Sequence, residues 1–119
     1  MEEILRKMNL QQREIVLLSY PFSDLEGKKV RPALIVSNDY FNKKSDDCIA
    51  VPLTTIIKEE PYSIVINQED LVSGKLIKQS RIRVDKIFTV EKKIVMMKIG
   101  IIKEEIFENI KKEILKVFV

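Results

Sequence analysis

The chain has 119 residues, 45% of them hydrophobic and 33% charged, and its formal net charge is +3, which favours one globular domain and excludes a disordered chain. It has no histidine, which excludes a Ser-His-Asp triad, a Cys-His pair and a His-ligated metal site, and its three glycines are too scattered for a glycine-rich phosphate loop. Its single cysteine, Cys48, excludes an internal disulfide, and no uncharged stretch approaches the roughly twenty residues of a membrane span. The N-terminus carries Glu2 and Glu3 and lacks a long apolar core, which is unlike a signal peptide, so we expect a cytoplasmic protein without membrane association.

The first third of the chain predicts two strands joined by a long loop. Residues 1–12 are expected to form an arm or a short helix, and residues 13–119 a single domain. Glu14–Tyr20 and Ala33–Ser37 are rich in β-branched and apolar residues, as strands are. Pro21–Val30 contains Pro, Ser, Asp and Gly and predicts a loop of about ten residues, a length often associated with function.

The rest of the chain predicts more short strands and then a helix. Asn38–Asp47 is polar and turn-like. Four apolar runs follow and predict four further strands: Cys48–Leu53, Tyr62–Ile66, Leu76–Val84 and Ile94–Ile99. From Lys103 onward apolar residues recur at helical spacing, with acidic residues at the start and lysines near the end. About six strands and one amphipathic helix predict a mainly β (α+β) fold, a small antiparallel barrel with the helix packed on it.

Positive charge is concentrated in two segments. Lys28, Lys29 and Arg31 lie beside the long loop. Residues 75–86 hold five cations against a single acid, and these cations are Lys75, Lys78, Arg81, Arg83 and Lys86. Such clusters fit a site for a polyanion, although charge alone favours a solvated lysine-rich surface.

The predicted fifth strand alternates charged and apolar residues. Because successive side chains of a strand point to opposite faces, Arg81, Arg83 and Asp85 would share one face, and Ile82 and Val84 the other. The apolar face would point to the core and leave two guanidiniums and a carboxylate in an open row. An arginine fork fits a phosphate, and a carboxylate can accept a proton. Taken alone, however, the row is better explained as an exposed ion pair worth about 0–1 kcal/mol.

Other candidate residues flank the predicted loops. Arg31 either flanks an edge strand or anchors a phosphate. Thr54 and Thr55 end the third strand, where a hydroxyl can donate to a phosphate oxygen, although threonine is common in strands. Phe22 could stack on an unpaired base or simply pack in the loop. Asp46 and Asp47 could bind a hard cation, but adjacent carboxylates tend to point apart and no others cluster nearby in sequence, so no metal site is expected. No cofactor is expected either.

Several segments, taken in order, resemble the MazF/PemK (Kid) family of toxin endoribonucleases. REIVLLSYPFSDLEGKKVRPALIVSNDYFN is similar to the family's opening strand, its long loop and its RPxLV/I strand. IAVPLTTIIKEEPYSIVI resembles the VPxT strand, and SRIRVDKIFTV resembles the R-x-D strand and its following turn. The closing helix also matches, and the resemblance runs from Arg13 to the end of the chain. Arg13 itself is a departure, since the family usually has glycine there.

The resemblance implies an SH3-like barrel, a symmetric homodimer and metal-independent cleavage of single-stranded RNA to 2′,3′-cyclic phosphate and 5′-hydroxyl ends. It also implies a cognate antitoxin, which we expect to be acidic and partly disordered. The family's characteristic arginine and threonine match Arg31 and Thr54, and the arginine–aspartate pair of the Kid branch matches Arg83 and Asp85, so these four are predicted to be catalytic. The predicted RNA-binding residues are Lys28, Lys29, Ser37, Asn38, Thr55, Lys78, Ser80, Arg81 and Phe22.

The expected mechanism uses neither histidine nor a metal, because the RNA 2′-hydroxyl is the nucleophile. Asp85 would be the base, Arg31 and Arg83 would hold the non-bridging oxygens, and Thr54 would donate a hydrogen bond. Two alternatives stay open. One is a non-catalytic module that binds a protein, as the similarly folded gyrase poison CcdB does, and the other is a single-stranded RNA-binding barrel.

Overall fold

The computed structural model describes residues 8–21 and 28–119. In this part of the chain the backbone forms eight strands, two α-helices and two short turns of 3-10 helix. In chain order the strands and α-helices are β1 Glu14–Pro21, β2 Lys28–Ile35, α1 Asp39–Lys44, β3 Asp47–Thr54, β4 Ser63–Ile66, β5 Leu71–Gly74, β6 Ser80–Arg83, β7 Phe88–Glu91, β8 Val95–Ile102 and α2 Glu104–Lys116. None of the described helices is long and apolar enough to cross a membrane.

The strands form one curled antiparallel sheet in the order β4-β6-β3-β2-β1-β8-β5, and β7 pairs separately with β3. Strand β3 makes the bend, because residues 47–50 pair with β7 whereas Leu53 and Thr54 pair with β6. The predicted fold class, a mainly β antiparallel sheet of barrel type with a C-terminal helix, is confirmed.

Alternating side chains give the sheet two buried faces. On one face Ile15, Leu34 and Val51 pack with Phe107 and Ile110 of α2. On the other face the core includes Val16, Ala33, Ala50 and Leu10, the last of which precedes β1. Neighbouring residues of one strand pack into different cores, on opposite faces of the sheet. The register of each strand therefore decides which polar side chains share a face and can form a site.

Helix α2 confirms the helix that the apolar spacing predicts from Lys103 onward. Phe107 and Ile110 are buried, while Glu104 and Glu105 lie in the first turn and Lys116 in the last, as the helix dipole favours. The helix covers one face of the sheet and closes the core that contains Ile15, Leu34 and Val51.

Several predicted boundaries are wrong, each for a local reason. Strand β2 begins at Lys28 rather than Ala33, so the loop before it is shorter than ten residues. The turn-like segment contains α1, whose N-cap Asn38 accepts a hydrogen bond from the Phe41 N–H at 2.8 Å. This N-cap pattern was readable in the sequence.

The predicted strand Leu76–Val84 is observed only at Ser80–Arg83. Gln68 interrupts it, since its side-chain oxygen accepts from the Leu76 N–H at 2.7 Å and its amide donates to the Gly74 carbonyl at 3.1 Å. Strands β5 and β7 were not predicted at all, because each has only two apolar residues among its four. The described chain therefore has eight strands rather than about six.

Candidate functional site

The pairing of β3 with β6 organises the candidate site. Thr54 lies opposite Arg81, and Leu53 lies opposite Ile82. Leu53 and Ile82 belong to the core beneath α2, so Thr54 and Arg81 lie on the other face of the sheet. Arg83 is two residues from Arg81 on the same strand and shares that face.

Arg31 approaches the same face from β2. Ala33 of β2 pairs with Pro52 of β3, and Arg31 lies two residues before Ala33, so its side chain is on the same face of β2 as that of Ala33. Arg31 is exposed at this position. The adjoining strands β6, β3 and β2 thus direct Arg83, Thr54 and Arg31 to one side of the sheet.

Arg83 and Asp85 form an ion pair beside this face. The Nη2 atom of Arg83 donates to Oδ2 of Asp85 at 3.0 Å, and the two side chains are 32% and 35% exposed. The Nε atom of Arg83 is buried without a hydrogen-bond partner among the described residues. This Nε atom is shielded from solvent, so the part of the guanidinium that could meet a phosphate is its partly exposed Nη end, which faces Asp85.

Arg81 departs from the expected open row of charges, since it is only 3% exposed. The connection between β3 and β4, residues 55–62, folds over it. Its Nε atom donates to the Ile56 carbonyl at 3.1 Å, and its Nη1 atom lies 3.6 Å from Oε1 of Glu60. The sequence could not show this, because the covering residues lie more than twenty positions away.

A cavity of about 280 Å³ opens where this connection meets the sheet. Its lining residues are Thr54, Ile56, Lys58, Glu60, Arg81 and Arg83. The structure thus brings together Thr54 and Arg83, two of the four predicted catalytic residues. It also adds Lys58 and Glu60, which our sequence analysis missed. The only sequence signal for them was a run of charged residues soon after the Thr54–Thr55 pair.

The Thr54 hydroxyl is oriented by the backbone. Its Oγ1 atom accepts from the Ile56 N–H at 3.1 Å, and the side chain is half-buried. A hydroxyl that accepts in this way still has its own hydrogen to donate. Thr54 can therefore act as a donor to an anionic oxygen in the cavity.

The predicted RNA-binding residues fall into two structural groups. Four use their side chains within the fold. Ser37 donates to Oδ1 of Asn42, Asn38 caps α1, Ser80 donates to the Lys78 carbonyl, and Arg81 donates to the Ile56 carbonyl as described above. Ser80 is also only 4% exposed. Lys29, Thr55 and Lys78 are exposed. Phe22 and the side chain of Lys28 lie outside the described residues.

Cys48 has no catalytic environment. It is fully buried in the core that contains Leu10, and burial raises the pKa of its thiol to about 11. The thiol is therefore protonated at neutral pH and is not a nucleophile. Among the described residues, no group of three or more His, Cys, Asp or Glu side chains is placed to hold a metal ion.

Comparison with known protein families shows which family the chain belongs to. A family described as "PemK-like, MazF-like toxin of type II toxin-antitoxin system" matches residues 11–118, which is nearly the whole chain. The chain belongs to this family. The resemblance stated from the sequence is thereby confirmed. A comparison with curated proteins finds no match.

Several solved structures share the fold. An endoribonuclease from a mycobacterial species is 21% identical, with a TM-score of 0.74 over 93% of this chain and 92% of that chain. An endoribonuclease in complex with its cognate antitoxin, also mycobacterial, is 22% identical, with a TM-score of 0.74 over 92% and 94%. A MazE–MazF complex from Deinococcus radiodurans is 17% identical, with a TM-score of 0.76 over 93% and 96%. At these identities the likeness concerns the fold, which is the MazF fold.

Proposed function

We propose that this chain is the toxin of a type II toxin–antitoxin system and acts as an endoribonuclease on single-stranded RNA. Its products would carry 2′,3′-cyclic phosphate and 5′-hydroxyl ends, and no metal ion would take part. The observation that carries the proposal is the cavity shared by Thr54 and Arg83, with Asp85 3.0 Å from the Arg83 guanidinium. The endoribonucleases of the same fold support it.

The reaction follows from what these groups can do. The RNA 2′-hydroxyl attacks the adjacent phosphorus and gives its proton to Asp85, while the bond from phosphorus to the 5′-oxygen breaks. Arg31 and Arg83 neutralise the charge on the non-bridging oxygens, and Thr54 donates a hydrogen bond to one of them. A guanidinium is a poor proton donor, so Arg83 stabilises the leaving oxygen by hydrogen bonding while solvent supplies the proton.

The proposed partners are RNA, an antitoxin and a second copy of the chain. Exposed Lys29, Thr55 and Lys78 would contact RNA outside the cavity. An acidic antitoxin segment would complement the same cations, and complexes with an antitoxin are known for MazF-like proteins of this fold. We further propose a homodimer that works in the cytoplasm, with residues 13–119 as the toxin domain. Of residues 1–12, predicted to form an arm or a short helix, residues 1–7 lie outside the described part of the chain, and Leu10 packs in the core.

Arg31 provides the most discriminating test of this proposal. Arg31→Ala should abolish cleavage of a mixed single-stranded RNA, because a charge-neutralising group typically contributes about a hundredfold or more to such a rate. Lys111→Ala on α2 is a matched loss of one exposed positive charge away from the site, and it should cleave normally. Equal activity of the two variants would refute the role of Arg31. No cleavage by the wild type would favour a module that binds without cutting.

A further inference from the structure

Glu60 is out of place in a cavity proposed to bind a polyanion. Three cations line this cavity, Lys58, Arg81 and Arg83, and Glu60 is the single carboxylate among its lining residues. A negative charge there repels an RNA phosphate, so its presence needs an explanation other than attraction of the substrate.

The Glu60 carboxylate bridges two of these cations. Its Oε1 atom lies 3.6 Å from Nη1 of Arg81, and its Oε2 atom lies 3.6 Å from Nζ of Lys58. One anionic oxygen beside each cation is also how the two non-bridging oxygens of a phosphodiester would be held. The carboxylate therefore occupies a position with the chemistry of a phosphate site.

The carboxylate is held loosely, whereas Arg81 is held firmly. Both distances exceed the 2.7–2.9 Å of charge-assisted hydrogen bonds, and the Glu60 side chain is 43% exposed. Arg81 is 3% exposed and also donates a 3.1 Å hydrogen bond to the Ile56 carbonyl, a contact that the Glu60 side chain does not make. Glu60 can leave while Arg81 stays in place.

This position is close to the groups proposed for catalysis. Lys58 and Arg81 line the same cavity as Thr54 and Arg83. An RNA strand with its scissile phosphate against Thr54 and Arg83 would bring a neighbouring phosphate towards Lys58 and Arg81.

We propose that Lys58 and Arg81 form a second phosphate site, which the Glu60 carboxylate fills in the free protein and a backbone phosphate of the bound RNA takes over. The inference rests on the proposed function for its ligand. Glu60 then acts as an internal counter-ion that lowers the affinity for polyanions and must be displaced when RNA binds.

Binding of a non-cleavable oligonucleotide tests this without requiring catalysis. The probe is a fluorescent single strand that carries 2′-deoxyribose at every position, and affinity is measured by anisotropy over a range of salt. Glu60→Gln should bind up to about fivefold more tightly than the wild type. Its plot of log K against log salt should be steeper by up to about 0.7, the value for one additional phosphate contact on a single strand.

Glu59→Gln is the matched control, because it removes the same charge from the adjacent exposed residue, which does not line this cavity. Lys58→Met supplies a second check. It should weaken binding more in the Glu60→Gln background than in the wild type, since Lys58 is already neutralised when Glu60 is present.

Two results would overturn the inference while leaving the proposed function intact. If Glu60→Gln and Glu59→Gln changed the affinity equally, the change would be explained by net charge alone. If Glu60→Gln bound more weakly than the wild type, Glu60 itself would contact RNA. If neither wild-type protein nor Glu60→Gln bound the oligonucleotide or a matching RNA, the proposed function would fail and the inference with it.

Discussion

Replacing Asp85 with asparagine should separate catalysis from stability. The substitution keeps the size of the side chain and removes the charge that accepts the proton. The ion pair with Arg83 is 3.0 Å long, and its side chains are 32% and 35% exposed, so its loss should cost no more than about 1 kcal/mol. For a chain of 119 residues this corresponds to a fall in Tm of no more than roughly 5 °C.

The expected loss of rate is much larger than this loss of stability. A positioned general base contributes about a hundredfold to ten-thousandfold, which is about 2.7 to 5.4 kcal/mol of transition-state stabilisation. Single-turnover cleavage of a fluorescent RNA measures the rate, and thermal unfolding of the same samples measures stability. Asp85→Asn should therefore be almost inactive at a temperature where it is fully folded.

Glu108→Gln is a matched control for this substitution. Glu108 forms an ion pair of the same 3.0 Å length with Lys111, on helix α2 and outside the cavity. Its loss should change Tm by a similar amount and leave the cleavage rate unchanged. Cleavage by Asp85→Asn within tenfold of the wild-type rate would refute the assignment of Asp85 as the base.

Three further predictions concern other parts of the structure. Thr54→Val should slow the initial rate of cleavage about tenfold to a hundredfold, because it removes a hydrogen bond to a charged oxygen. The control Thr89→Val on β7 should leave that initial rate unchanged. Phe107→Ala should lower the free energy of unfolding in urea by about 3–5 kcal/mol, because this ring is 2% exposed between α2 and the sheet, and a loss below 1 kcal/mol would contradict that packing. Cys48 should react with a thiol reagent at pH 8 only after unfolding. Burial on folding raises the pKa of the Cys48 thiol from 9.0 to about 11, so the folded state favours the protonated thiol. The contribution of this thiol to the free energy of unfolding should therefore be complete below pH 9 and be lost as the pH approaches 11.

The spacing of apolar residues along the sequence predicted strand β1 and helix α2 correctly. The apolar run at Glu14–Tyr20 and the helical spacing after Lys103 each correspond to an observed element, because a long apolar stripe can be buried in only one way. Strands β5 and β7 were missed, since four residues carry too little periodicity and their pairing partners are distant in sequence.

The candidate site, like the fold, was predicted only in part from the sequence. Strand alternation predicted that Arg83 and Asp85 would share a strand face, but β6 ends at Arg83 and Asp85 lies in the turn after it, where its carboxylate is 3.0 Å from the Arg83 guanidinium. It could not predict that Arg81 is buried, because the covering Ile56 carbonyl belongs to a distant connection. Lys58 and Glu60 were missed for the same reason, since their place in the cavity depends on how that connection folds back over β6.

The central claim is that this chain cleaves RNA through the RNA's own 2′-hydroxyl and without a metal ion. The most direct measurement is incubation of the wild-type protein with a diverse single-stranded RNA in excess EDTA, followed by chemical identification of the new ends. We predict fragments with 2′,3′-cyclic phosphate and 5′-hydroxyl ends, and no cutting at a site where the upstream nucleotide carries 2′-deoxyribose. Fragments with 5′-phosphate ends, or cleavage that stops in EDTA and returns with a divalent cation, would contradict the account.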